Sequence, residues 1–131
     1  MVSRIQQTEL MPAEPRLIYD LLTSAEQFSA MTGGAPAEID PTAGGEISLF
    51  DGMITGRTIE AVEGERVVQA WRPQPWAPGT YSIVKFEIEP DGAGGSRVTL
   101  DHTGFPEDEA EHLAAGWTDN YWNPMRAAVT S

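Results

Sequence analysis

The chain has no cysteine. It can therefore form no disulfide, present no thiolate nucleophile and hold no metal through sulfur, and it is compatible with a reducing compartment. Histidine is nearly as scarce: His102 and His112 are the 2 in 131 residues. A hydrolytic metal site draws on several converging His, Cys or carboxylate ligands, and no HExxH spacing occurs. No Gly-x-Ser-x-Gly elbow is present. Gly33-Gly34 and Gly44-Gly45 lack the setting of a phosphate loop and read as turn material. Cations are few as well, 8 Lys and Arg against 20 Asp and Glu, for a formal net charge of -12. That balance argues against nucleic-acid phosphates or anionic lipid as partners. It reads as solubility, with a basic partner or cationic ligand as the alternative. No apolar run reaches membrane-spanning length, and the first twenty residues carry Arg4, Glu9, Glu14 and Arg16 rather than a secretory core. A cytoplasmic protein without membrane insertion, and without a cofactor, is the expectation.

What is present is a single-domain length, 1–131, large enough to bury a core. The longest helical pattern lies at Pro106 to Val129, where Ala110, Leu113, Ala114, Trp117, Tyr121, Met125 and Ala128 recur at steps of three and four. That is one apolar stripe, with Glu107, Asp108, Glu111, Thr118, Asp119 and Arg126 opposite. Pro106 suits the first helical position, but Pro124 removes a backbone bond and crowds the carbonyl of Asn120, which predicts a kink or an early end. Upstream, Arg4 to Leu10 alternates as a first strand. Pro15 opens a helix with Leu17, Ile18, Leu21 and Leu22 as its stripe. Thr23 or Ser24 caps a second short helix bearing Phe28 and Met31, ended by Gly33-Gly34.

The period then changes to two. Ala37 to Asp40, Glu46 to Phe50, Met53 to Val62, Val67 to Arg72, Tyr81 to Glu89 and Arg97 to Thr103 are strand candidates, and Asp51-Gly52 and Glu63-Gly64 read as hairpin turns. The fold class is therefore α+β: a curved antiparallel sheet of six or seven strands wrapped around a long C-terminal helix.

Alternation assigns the faces. Val84, Phe86 and Ile88 point inward because the opposite set, Lys85, Glu87 and Glu89, is charged. Val98, Leu100 and His102 lie together, as do Val67, Gln69 and Trp71. In the long middle strand Arg57 shares a face with Thr55, Ile59 and Ala61, unless a bulge near Gly56 changes the phase. The candidate cavity lining is Arg57, Gln69, Trp71, Trp76, Tyr81, Phe86, His102, Leu113, Trp117 and Tyr121. Each has an ordinary alternative: a lone inward histidine is usually hydrogen-bonded core, and helical tryptophan and tyrosine are usually packing. Trp76, among Pro73, Pro75 and Pro78, either caps the core or forms a flap over a pocket mouth. His102 and Asp101, strand neighbours, point to opposite faces and cannot act as one acid–base pair.

Several segments in order carry a family likeness: Pro15 to Thr23, Gly44-Gly45-Glu46, Gly56-Arg57 through Ala61-Val62, Glu65 to Arg72, Ser96 to Phe105, and Gly116-Trp117. Together they resemble the domain named after the activator of the ninety-kilodalton heat-shock protein ATPase, within the SRPBCC group that includes birch-pollen-allergen-like and START-like folds. The resemblance implies a helix-grip fold with a cavity between sheet and helix, and a place in stress response. Relatives in the wider group bind lipids, sterols or polyketides, some are cyclases or hydrolases, and the eponymous activator stimulates a chaperone. The activator's additional N-terminal domain is not in this sequence.

Three functions follow as expectations. The leading one is a module binding a small hydrophobic molecule, lipid-like or aromatic, between sheet and helix. The second is a protein-interaction or co-chaperone module acting through its acidic surface. The third is an enzyme on a hydrophobic substrate using His102, for which catalytic support is weakest. An open hollow would favour the first, and a dry, filled core would favour surface recognition.

Overall fold

In the computed structural model, which describes residues 4–130, the period-two stretches become strands. They are β1 (Arg4–Met11), β2 (Glu38–Ile39), β3 (Glu46–Leu49), β4 (Ile54–Val62), β5 (Arg66–Pro73), β6 (Ser82–Pro90) and β7 (Ser96–Thr103). They form one antiparallel sheet in the order β1-β7-β6-β5-β4-β3-β2. Strands β2 to β7 are a meander, and β1 adds to its far side, from Arg4 opposite Thr103 to Met11 opposite Ser96. Two helices, α1 (Pro15–Thr23) and α2 (Ala25–Met31), cross from β1 to the other edge. Pro15 opens α1, and the Ser24 side chain caps α2 by accepting from the Gln27 amide at 3.3 Å. Ile18, Leu21 and Leu22 of α1 are buried as expected, but Leu17 is exposed.

The Asp51-Gly52 hairpin turn is present as expected. Asp51 and Gly52 both have positive φ (56° and 83°), and the Met53 amide closes the turn on the Phe50 carbonyl at 3.2 Å. Phe50 before them is left-handed too (φ 53°), and the Asp51-Gly52 pair at the centre of the turn has the backbone twist that matches flanking antiparallel strands.

Two expectations are corrected. The bulge in β4 falls between Thr58 and Glu60, not near Gly56. Thr58 is buried, its hydroxyl donating to the Asp40 carbonyl at 2.7 Å, while its amide bonds the Gly45 carbonyl. Inward positions are thus Gly56 and Thr58, and both Arg57 and Ile59 face out. The C-terminal helix is not a single α-helix from Pro106. A 3-10 turn at Glu107–Glu109 leads into α3 (Ala110–Trp117), a π-turn at Thr118–Trp122 and α4 (Asn123–Thr130). Pro124 does not end it. The wider turn sends the Asn123 amide to the Thr118 carbonyl, so the ladder has already changed register where the proline lacks its donor.

The π-turn also rotates the apolar stripe. Trp122, absent from the three-and-four spacing, is buried beside Trp117, Tyr121 and Met125, and Ala128 is exposed. These side chains meet Val67, Trp71, Val84, Phe86, Val98 and Leu100 from the sheet in one core. Phe86 lies 5.5 Å from Trp117, 5.9 Å from Tyr121 and 6.4 Å from Trp122, ring centre to ring centre. The hollow of the grip is filled with rings.

Gly56 is required by the close approach of β5. A Cβ there would run into the Ala70 carbonyl oxygen on β5, beside Trp71, to which Gly56 is registered. Gly56→Ala is expected to cost about 3 kcal/mol, because the clash is with backbone rather than with a side chain that can swing away. A urea midpoint unchanged from wild type would contradict this.

Candidate functional site

The helix is tied to the sheet by a polar thread within the aromatic core. The Trp117 indole N–H donates to His102 Nδ1 at 3.1 Å, and His102 Nε2 lies 2.8 Å from the Ser82 hydroxyl. Since Nδ1 accepts, the proton of the neutral ring sits on Nε2 and is given to Ser82. The Ser82 hydroxyl in turn reaches the Trp71 carbonyl at 3.4 Å. Trp117 stacks on Trp71 with ring centres 5.0 Å apart and planes 21° from parallel. The Trp71 indole donates to Gln69 at 2.8 Å and the Trp122 indole to Gln7 at 2.6 Å. Each inward polar group predicted at Gln69 and His102 is therefore consumed by an indole, and both residues lie in the packed interior. His102 has no exposed surface and both ring nitrogens are engaged. Asp101, as predicted, faces the other way and pairs with Arg4 at 2.8 Å.

A cleft of about 320 Å³ remains at one end, where the β3–β4 turn and the Pro-rich β5–β6 loop approach α3. That is near the lower end of the ~300–1,000 Å³ range of ligand sites. Five of the predicted residues line it: Trp71, Trp76, Leu113, Trp117 and Tyr121. Gln69, Phe86 and His102 lie behind it in the core. Two are elsewhere: Arg57 and Tyr81 stand on the outer face of the sheet, the Arg57 side chain 61% exposed and Tyr81 51% exposed. The alternation rule misplaced Arg57 because the bulge follows it, and Tyr81 precedes the first inward residue of β6, Ser82.

Trp76 both caps and walls the cleft. It is buried, its indole N–H donating to Glu109 Oε1 at 3.0 Å, so the Pro-rich loop is clasped to the start of α3. Arg72 holds the same loop from behind through the Trp76 carbonyl at 3.0 Å. Phe50, a lining residue missed in the sequence, has φ 53°, a left-handed conformation costly for a bulky side chain, at about 1–3 kcal/mol. Its ring is set against Phe28 at 5.5 Å and Tyr121 at 6.0 Å. Met53, Glu109, His112, Gly116 and Asn120 were also missed. They sit in turns or on the polar side of the helical stripe, where periodicity assigns side chains to solvent.

Tyr121 differs from the other buried polar side chains. It is 3% exposed and lines the cleft, yet its hydroxyl has no hydrogen-bond partner among the described residues. No fully enclosed side-chain N or O among them is left unsatisfied, so this hydroxyl meets the cleft. Burial raises its pKa well above the ordinary tyrosine value and keeps it a protonated donor.

Charge is divided between the two sides of the sheet. Facing out are Arg4, Arg57, Arg66, Arg72, Lys85 and Arg97 with Glu38, Glu46, Glu60, Glu87, Glu89 and Asp101. Five pairs are close, from Arg66–Glu60 at 2.6 Å to Arg97–Glu89 at 3.8 Å. That face is formally neutral, so the net charge of -12 is carried by helices, turns and rims. The cleft has Glu109 in its wall, Glu107, Asp108 and Glu111 beside it in sequence, and no lysine or arginine in its lining. Among the described residues no group of three His, Asp or Glu is placed to hold a metal, and no helix is long and apolar enough to cross a membrane.

A seven-stranded antiparallel sheet gripping a C-terminal helix, with small helices after the first strand, defines a helix-grip domain. Residues 12–130 match the family model described as Activator of Hsp90 ATPase homolog 1-like protein, and the chain belongs to that family. It is 31% identical over 106 residues to an activator of 90 kDa heat shock protein ATPase homolog from Dictyostelium discoideum, covering 81% of this chain and 27% of the relative. It is 25% identical over 123 residues to the human homolog 1, covering 94% and 36%. The chain thus spans about a third of the length of these relatives. Among solved structures, an HSP90 activator from Plasmodium falciparum superposes with TM-score 0.89 at 26% identity, covering 96% of this chain and 95% of that one. The Aha1 dimer from Colwellia psychrerythraea shares the fold, with TM-score 0.81 at 16% identity over 97% and 96%.

Two outcomes test the site's construction. Desolvation lowers the His102 pKa from 6.5 to about 4, so the unfolded chain takes up a proton that the native state refuses. Stability from this residue is intact above pH 6.5 and is lost as pH falls from 6.5 towards 4, by up to about 3 kcal/mol. The difference in urea stability between pH 7 and pH 4.5 should shrink by about 2 kcal/mol in His102→Gln; an equal loss in both proteins would contradict the assignment. Separately, a Cβ at Gly116 would meet only Asn120 Nδ2, at an ordinary 3.6 Å. Gly116→Ala should therefore stabilise the protein by about 0.5–1 kcal/mol through helix propensity. A lowered thermal midpoint would show the cleft wall to be tighter than this.

Proposed function

We propose that this chain is an accessory protein of an Hsp90-type chaperone that binds the chaperone through its surface and stimulates its ATPase. The observation that carries the reading is the likeness to the Plasmodium falciparum HSP90 activator over nearly the whole of both chains. That match is to a chain of similar length, so the activator's extra domain is not required for the likeness. The filled interior supports it as well, since rings occupy the space that a lipid-sized ligand would need.

A second reading is favoured by one feature. The cleft is lined mainly by apolar side chains, with Glu109, His112, Asn120 and Tyr121 as its polar members, which suits a small, mostly apolar molecule carrying a polar group. Such a ligand would be fragment-sized rather than a sterol or long lipid, because the cleft is small.

The test is steady-state ATP hydrolysis by an Hsp90-type chaperone from the same cell, with and without this protein. The co-chaperone reading predicts a several-fold stimulation that saturates with added protein. A rate unchanged at saturating protein, with no complex in analytical ultracentrifugation, would overturn it. Native mass spectrometry of the purified protein addresses the second reading, for which a stoichiometric small-molecule adduct is expected.

A further inference from the structure

We propose that the cleft beside α3 binds a flat, uncharged aromatic molecule of one or two fused rings with a hydrogen-bonding group, and that Gly116 is the residue that admits it. This rests on the small-molecule reading of the cleft and names the class of ligand it takes.

Gly116 has no structural reason to be glycine. The chain has 13 glycines. Nine have positive φ, where a side chain is strained, and at Gly45, Gly56 and Gly95 a Cβ would collide with a neighbour. Neither reason holds at Gly116. It lies inside α3, and a Cβ there would meet only Asn120 Nδ2, at 3.6 Å. Glycine inside a helix is disfavoured against alanine, so the fold loses stability here and gains no packing in return. The same residue lines the cleft. Bare backbone facing a cavity lets a ligand come closer than a side chain would allow.

The surroundings of that gap set the ligand's chemistry. Trp71, Trp76 and Trp117 line the cleft together with Phe50 and Tyr121. A flat ring packs on such walls better than a saturated ring of the same size. His112 and Asn120 stand four residues to either side of Gly116 and also line the cleft. Neither side chain has a hydrogen-bond or ion-pair partner among the described residues. Imidazole and amide can each donate and accept, which suits a hydroxyl, amide or carbonyl on the edge of the ligand. No lysine or arginine lines the cleft, and its one carboxylate, Glu109, is already engaged through Oε1 by the Trp76 indole. An ion of either sign would leave water without an opposite charge held ready for it. A volume of about 320 Å³ limits the occupant to one or two rings. A longer lipid would need the interior that Phe86, Trp117 and Tyr121 fill.

The experiment uses four compounds on one skeleton: 2-naphthol, its saturated counterpart decahydro-2-naphthol, the anion 2-naphthoate and the cation 2-naphthylmethylammonium. Binding to the intact chain is read in nitrogen-15 NMR from the Trp76 and Trp117 indole N–H signals and the Gly116 amide. Gly116→Ala, Gly116→Leu and Asn120→Ala accompany the wild type. Thermal midpoints establish that each is folded, and Gly116→Ala decides if Gly116→Leu does not fold.

The expected result is a saturable shift of all three signals with 2-naphthol. The saturated compound should bind about fivefold more weakly, and the two ions at least about tenfold more weakly. Gly116→Ala should melt above the wild type yet bind 2-naphthol about tenfold more weakly, while Gly116→Leu should not bind it. Asn120→Ala should lose about fivefold. Wild-type affinity in folded Gly116→Leu, or in Gly116→Ala where it stands alone, would overturn the role given to the glycine. So would a Gly116→Ala that melts below the wild type. A saturated or charged compound bound as tightly as 2-naphthol would overturn the ligand class and leave the small-molecule reading standing. Shifts confined to the outer sheet face would overturn the proposal as well. No binding of 2-naphthol by the wild type would also overturn it; an adduct in native mass spectrometry would then keep the small-molecule reading, and its absence would remove both.

Discussion

One indole holds the two layers of this protein together. Trp117 lies flat on Trp71 from the sheet and points its N–H at Nδ1 of His102, two strands away. The contact is both apolar and directional. Area burial alone specifies orientation weakly, since the hydrophobic effect is non-directional. The hydrogen bond fixes rotation and height at once, because an unsatisfied indole or imidazole in that place would cost about 1–3 kcal/mol. The rest of the core, Tyr121 on Phe86 and Trp122 beside Trp117, follows from that setting.

The π-turn is how the helix meets the constraint. A regular helix carrying Trp117 and Tyr121 inward would place Trp122 towards its flank. The wider turn at Thr118–Trp122 brings Trp122 into the core, where its indole reaches Gln7 of β1. Arg126 continues the seam by pairing with Glu9 at 2.8 Å. The turn also delivers the chain to Pro124 with the donor ladder already shifted. At the other end the Trp76–Glu109 clasp ties the Pro-rich loop to the start of α3, and the cleft lies beside it.

Much of this was legible in the residues. Alternation against charged neighbours placed Val84, Phe86, Ile88, Val98, Leu100 and His102 correctly, because burying Lys85 or Glu87 instead would have been expensive. Trp71 settled the face of β5 by its size. The failures share a cause, local changes of phase. The β4 bulge turned Arg57 and Ile59 outward, and the π-turn brought in Trp122; neither leaves a mark in periodicity. The cleft was half legible for the same reason. Its helical residues Leu113, Trp117 and Tyr121 lay on the stripe, whereas Phe50, His112 and Gly116 belong to a turn or to the helix flank. Their position is decided by tertiary packing, not by sequence pattern.

The interior of the grip is filled by packed rings, and the cleft beside α3 is what stays open. The account stands on the Trp117 junction, and hydrogen exchange at the Trp117 indole N–H measures it most directly. A bond buried in the shared core should exchange only through global unfolding, with protection equal to that of the slowest backbone amides of β6 and β7. Exchange on the timescale of a free indole, while those amides stay protected, would contradict the account and release the helix from the sheet.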